Sequence, residues 1–265
     1  MKKISFVLVS ATLLGTALLT TTAHAGEKGA DYSSNGAVKF IPNSDRNNPV
    51  DPDDPNPDNP VVPEDPTNPD GPNPGTDGPL SIDYASSLDF GVNKISNKTQ
   101  VYYARAQKFK AADGSTSNLI RPNYVQISDN RGNNAGWTLQ VKQNGQFTNK
   151  DTLNKTLTGS AIKLTSPVVK SNAKNVTAPI ATAEINLDPN GAQTTVFSAK
   201  KDAGAGTWVN AWGTVSKATE KDENNKDVEA DINKEVSLTV PGTTPKDAVN
   251  YSTTLTWSLS DTPAN

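Results

Sequence analysis

The sequence predicts an all-β protein: a single β-sandwich or Greek-key-like C-terminal domain preceded by a disordered Pro/Asp-rich spacer. Three observations carry this. Short stretches of alternating apolar and polar residues recur from Leu80 onward, Gly, Asn, Asp and Pro separate them, and helical periodicity is nowhere convincing. The clearest stretch is Tyr251-Ser-Thr-Thr-Leu255-Thr-Trp257-Ser-Leu259, whose apolar residues alternate with small hydroxylated ones, as in a strand with one greasy face.

Taken in order, residues 1–25 read as a secretory signal peptide. Lys2 and Lys3 form its positive start, Ile4 to Leu19 its apolar stretch, and Ala23-His24-Ala25 its small-x-small cleavage site. The apolar stretch is short and broken by Ser10, Thr12, Gly15 and Thr16, which suits a cleaved signal better than a membrane anchor. After cleavage no transmembrane segment is expected.

Residues 26–43 hold a short strand pattern, with Val38 and Phe40 alternating after the Asn35-Gly36 turn. A lone strand is unstable, so it adds to the edge of the following domain, recruits a partner, or stays disordered. Residues 44–79 shift abruptly to Asp, Asn and Pro. Such a composition cannot build a core, and its prolines and like charges predict a semi-rigid spacer of about 100 Å. A calcium site is disfavoured there, because proline between the carboxylates keeps them from converging on one ion.

The boundary near Leu80 coincides with a change of charge. Residues 26–79 carry 11 acidic and 3 basic side chains, whereas residues 80–265 carry 17 acidic and 20 basic. The mild basic excess suits an anionic cell surface. Nucleic acid is not expected, since no dense basic stripe is present.

Residues 80–265 are expected to form one β domain. Its strands are Leu80 to Tyr84, Leu88 to Phe90, Gln100 to Ala106, Tyr124 to Ser128, Trp137 to Val141, Ala161 to Leu164, Ile180 to Leu187, Thr194 to Ser198, Thr207 to Trp212, Val236 to Val240, and Ser252 to Leu259. The dense charged run Glu220 to Asp231 departs from a calcium loop at the position that requires glycine, and reads as a solvated loop.

Catalysis is disfavoured by composition. The chain has no cysteine and its single histidine is His24, inside the segment expected to be removed. Disulfides, thiolate metal sites, Cys nucleophiles and Ser-His triads are thereby excluded. No carboxylate pair sits in a recognisable glycosidase or protease motif, so neither a metal nor a cofactor is expected.

A second, shorter Trp-x-Leu strand lies upstream at Trp137-Thr-Leu139. Together with the distal Tyr251, Leu255, Trp257 and Leu259 it resembles the WxL domain of Gram-positive bacterial surface proteins. Leu88-Asp-Phe-Gly91, Val125-x-Ile127-x-Asp129-x-Arg131-Gly132, Gly206-Thr-Trp208 and the N-terminal Ser-Asn-Gly-x-Val-x-Phe strand extend the likeness over nearly the whole chain after residue 25. The resemblance implies a non-covalent cell-wall protein, held on peptidoglycan or another wall polymer and associated with partner proteins of a surface complex. A chain without cysteine takes no lipoprotein anchor, and one ending Thr-Pro-Ala-Asn is not expected to be a sortase substrate. The alternative function is a protein-protein scaffold or adhesin, docking a membrane-anchored partner or host matrix.

The binding or structural motif residues are therefore Trp137, Leu139, Tyr251, Leu255, Trp257 and Leu259. Their alternation favours core packing for Trp137 and Trp257, while indole faces also stack on sugars and leave the contact reading open. Trp208 and Trp212 are the candidate exposed aromatics, being same-side neighbours on a strand flanked by Gly204, Gly206 and Gly213.

Overall fold

The computed structural model describes residues 31–111 and 113–263. The signal-peptide expectation and residues 26–30 lie outside them. The chain divides into two compact units, residues 1–40 and 41–265. Within the first, residues 31–40 form no strand, and Tyr32, Val38 and Phe40 are exposed.

The second unit is all-β; among the described residues there are sixteen strands and no helix. They form four small sheets, and the expected single sandwich is not what is seen. The central sheet runs β2 (Leu80–Ala85), β6 (Tyr124–Asp129), β13 (Gly206–Trp212), β9 (Pro167–Lys170). The motif sheet runs β10 (Ile180–Ala181), β12 (Thr194–Ala199), β7 (Trp137–Gln143), β16 (Leu255–Ser260). A third runs β11 (Glu184–Asn186), β8 (Ala161–Thr165), β15 (Asp227–Val240), β14 (Val215–Lys221), with β3 (Gln100–Arg105) also on β15. The smallest runs β1 (Val62–Pro63), β4 (Gln107–Lys110), β5 (Thr116–Arg121). The described pairings between strands are antiparallel.

The main core draws on three sheets at once: Val125 and Ile127, Trp137 and Leu139, and Ile162 and Leu238. A second core lies on the other face of the central sheet, where Tyr84, Tyr124, Val209 and Ala211 meet Phe109 of β4 and Val50. Strand β6 is consequently buried at all six positions. That needs a third layer, and residues 43–79 supply part of it.

Here the structure differs from the expected free spacer and from the boundary near Leu80. Residues 43–79 form a strap packed onto the central sheet, within the same compact unit as the rest of the domain. Val50 is 1% exposed, and its N–H donates to Gln126 Oε1 at 2.7 Å. Gln126 Nε2 donates in turn to the carbonyl of Asn48 at 3.0 Å. Arg121 grips both oxygens of Asp51 at 2.6 and 2.7 Å, and Lys170 reaches Asp53 at 2.8 Å. Composition missed this because a few apolar residues, Val50 with Pro52, Pro55 and Pro63, join two aspartates and backbone hydrogen bonds on a partner surface that local pattern does not show.

Strand assignment differs in detail. The charged run from Glu220 to Asp231 is the turn and flanks of the β14–β15 hairpin, with Lys217 between Glu229 and Asp231 at 3.2 and 2.9 Å. Cross-strand ion pairs replace the greasy face that pattern reading looks for. Leu88 to Phe90 is not a strand, and Ile180 to Leu187 splits into β10 and β11.

Candidate functional site

The two Trp-x-Leu motifs, more than a hundred residues apart in sequence, lie on neighbouring strands. β16 pairs antiparallel with β7 so that Leu259 opposes Leu139 and Trp257 opposes Val141. All four side chains share one face of the sheet, because side chains separated by two residues point the same way.

The partners differ in burial. Trp137 is fully buried, edge-on to Phe197 with ring centroids 4.9 Å apart, and its indole N–H donates to Gly204 O at 3.0 Å. Leu139 is equally buried. Trp137 is thus a core anchor, and Gly204 is shaped around it. Gly204 has φ of 72°, and a Cβ there would lie 2.4 Å from the Ala199 methyl and 2.8 Å from the Trp137 indole nitrogen. Trp257, Leu255, Leu259 and Tyr251 are half-buried on the rim of the same core.

Trp208 and Trp212 do not meet the expectation of exposure: they are 4% and 1% exposed. Both project from β13 into the main core, and Trp212 packs against Trp257 with centroids 6.3 Å apart. The flanking glycines that suggested room for a ligand instead serve close packing of the chain on itself, Gly204 against Trp137 and Gly213 against Glu235.

Tyr251, Leu255 and Trp257 line a groove of about 980 Å³. Strap residues 65–68 and 72–76, β2 with the loop after it, and residues 246–257 leading into β16 all line it. Its apolar lining includes Phe90 and Phe147, which meet edge-on at 6.1 Å, and Tyr102, Leu255 and Trp257. Amides and hydroxyls of Asn68, Asn73, Asn93 and Thr254 supply polar lining. Aromatic surface beside amides and hydroxyls is the chemistry that holds a saccharide.

The loop before β16 is built rather than slack. Asp247 accepts from the Thr152 hydroxyl, from Asn154 N at 2.8 Å and from Asn154 Nδ2 at 2.7 Å. These hydrogen bonds, the Thr152 hydroxyl first, hold its carboxyl below the ordinary carboxylate value. The Tyr251 hydroxyl donates to Asn154 O at 2.7 Å and accepts from Asp247 N at 3.0 Å. On the other side, beneath the strap, Asp83 is pushed above the ordinary value. Burial is the largest cause, and hydrogen bonds from Ser128, Ser81, Gln126 and Asn47 offset only part of it. Among the described residues no cluster of His, Cys, Asp and Glu suits a metal ion, and no helix is long and apolar enough to cross a membrane.

Residues 27–263, which include the paired motifs and the strap, match the WxL domain surface cell wall-binding family. The chain belongs to that family. No curated protein and no solved structure matches it. A WxL chain is a cell-wall-binding surface domain, and the family is not an enzyme family. Within this WxL chain, sequence reasoning found β16 but missed Phe90, Phe147 and Asp247 as parts of its surroundings. Leu88-Asp-Phe-Gly91 was the available signal: a glycine with φ of 71° after Phe90 marks a turn that aims the ring.

Proposed function

We propose that the chain is exported and attaches non-covalently to peptidoglycan of the Gram-positive wall, with the groove beside β16 as its contact surface. The observation that carries this is the family's wall-binding character, joined to a large groove in which the half-buried motif tryptophan, Trp257, meets aromatic and amide groups. Trp137 and Leu139 support that surface from below, and Trp257, Tyr251 and Leu255 present it. A protein partner is the second reading, favoured by the exposed Ile95 and Val249 on the groove's lining.

Co-sedimentation with purified Gram-positive peptidoglycan tests the first reading. The folded protein is expected in the pellet, and Trp257→Ala is expected to weaken binding by about tenfold or more with its melting transition retained. Full retention of the wild-type protein in the supernatant overturns the reading. Capture by wall-stripped membranes instead would support a membrane-anchored partner.

A further inference from the structure

Three loops meet at one end of the third sheet. β3 begins at Gln100 opposite Val240, where β15 ends, and β8 begins at Ala161 opposite Thr239. Residues 91–99 before β3, 147–160 before β8 and 241–252 after β15 are thereby brought to the same end, and hydrogen bonds tie them together. Gly242 N donates to Thr99 Oγ1 at 3.2 Å, Lys246 Nζ to Ser96 O at 2.9 Å and Thr244 Oγ1 to Thr158 O at 2.6 Å. The bonds that join Asp247 and Tyr251 to Thr152 and Asn154 complete the platform.

Each loop presents an apolar side chain to solvent: Leu153 is 90% exposed, Ile95 58% and Val249 42%. Leu153 stands between two residues that both bond to Asp247, so its backbone is held while its side chain projects. Nothing in the turn calls for leucine, since turns favour Gly, Asn, Asp and Ser. The charges around these tips are mostly positive. The three segments carry Lys94, Lys98, Lys150, Lys155 and Lys246 against Asp151 and Asp247, in a chain whose formal net charge is -3. Of the two carboxylates, Asp247 is engaged by Thr152 and Asn154.

We propose that this end of the domain seats on an anionic lipid surface, with Leu153, Val249 and Ile95 entering the headgroup region and the lysines meeting lipid phosphates. Separate apolar tips on neighbouring loops suit a lipid surface, which accepts each without a matching pocket. A protein partner would need three pockets at fixed spacing. Lysine beside leucine serves an anionic interface in two ways: charge draws the loops in, and burial of apolar area holds them there. A purely polyanionic polymer would use the lysines and leave the leucine in water. Ile95 and Val249 also line the groove, so a seated domain holds the groove beside the lipid. The lipid contact does not rest on the wall reading.

The chain from Gly26 onward, without the apolar stretch of Ile4 to Leu19 that would itself enter lipid, is floated with two kinds of vesicle. One is phosphatidylcholine alone, the other phosphatidylcholine and phosphatidylglycerol in equal parts. Binding is expected to the anionic vesicles only, and should weaken as salt rises from about 0.1 to about 0.5 M and screens the lysines. Leu153→Glu should weaken it by about tenfold or more with an unchanged melting transition. Paired Lys150→Glu and Lys155→Glu should do the same. Because the chain has no cysteine, a polarity-sensitive dye on Leu153→Cys reads insertion at that tip alone. Its emission should move to the blue on anionic vesicles. The same dye on Asn224→Cys, in the turn at the far end of the 14-residue β15, should not respond. Wild-type protein that stays unbound at low salt, or binding that neither Leu153→Glu nor the dye registers, overturns the proposal. So does capture by wall-stripped membranes without binding to protein-free vesicles, which would assign the loops to a protein partner. Failure to sediment with peptidoglycan leaves these readouts unaffected.

Discussion

Replacing Val50 with Asp removes the strap from the central sheet. Val50 is 1% exposed among Tyr84, Phe109, Tyr124, Val209 and Ala211. Full burial of a valine side chain is worth about 1.5–3 kcal/mol. A carboxylate cannot remain unpaired in that setting, so the strap around residue 50 must lift and lose at least this contribution. With about 2 kcal/mol taken from within that range, a domain of this size should melt about 4–8 °C lower. Val50→Ala keeps the strap seated and should cost about 1.5 kcal/mol, two methyl groups' worth. Circular dichroism melting reads the stability, and amide hydrogen exchange reads the location. In Val50→Asp, exchange should accelerate over residues 44–66 and at Tyr124 to Gln126 beneath them. An unchanged melting temperature with fast exchange of residues 44–66 in the wild type would refute the docking argument and restore the free spacer.

Three further outcomes follow from the packing. Trp137→Ala leaves a cavity at a fully buried indole and strands Gly204 O, and should destabilise by about 3–5 kcal/mol in denaturant unfolding; a variant as stable as wild type would sink the core assignment. Gly204→Ala combines a left-handed backbone with contacts below 3 Å to the Ala199 methyl and the buried Trp137 indole, so a loss of about 1–3 kcal/mol is expected, and a neutral or stabilising result would contradict it. Acid should loosen the strap through Asp51. Burial acts to raise its pKa, but the Arg121 hydrogen bond, the Asp53 backbone N–H and the charges of Arg121 and Lys170 together outweigh this and leave it lowered. A lowered carboxylate contributes stability above its unfolded value of about 3.9 and loses it as pH falls through the folded value. The stability difference between wild type and Asp51→Asn should thus be constant above about pH 5 and shrink below about pH 4; a difference unchanged down to about pH 2 would rule out this ion pair as the strap's pin. Asp83 works in the opposite direction, since its raised pKa penalises the folded state until the group protonates.

The strands legible in the sequence were those with one greasy face. β7, β16 and β13 announce themselves by period two because one side meets the core and the other does not, or because tryptophan marks the register. β14 and the first half of β15 were missed because their cross-strand contacts are ionic. β4 and β5 were missed because Phe109 and Leu119 are few and the strands short. The motif residues were found as a set, but their division of labour was not visible. Trp137 and Trp257 sit in the same local pattern, yet one lies on an inner strand of its sheet and the other on the edge.

By itself the sequence determined the all-β class, the family resemblance, the absence of cysteine chemistry and the presence of two Trp-x-Leu strands, since each depends on residue type and local period. Tertiary structure decided which tryptophans face outward, that Trp208 and Trp212 fill the core, that the acidic segment is a strap, and that a groove opens beside β16. Those outcomes depend on which surface each strand meets and on a few long-range contacts, such as Val50 on Gln126 and Asp51 on Arg121, that no local pattern encodes.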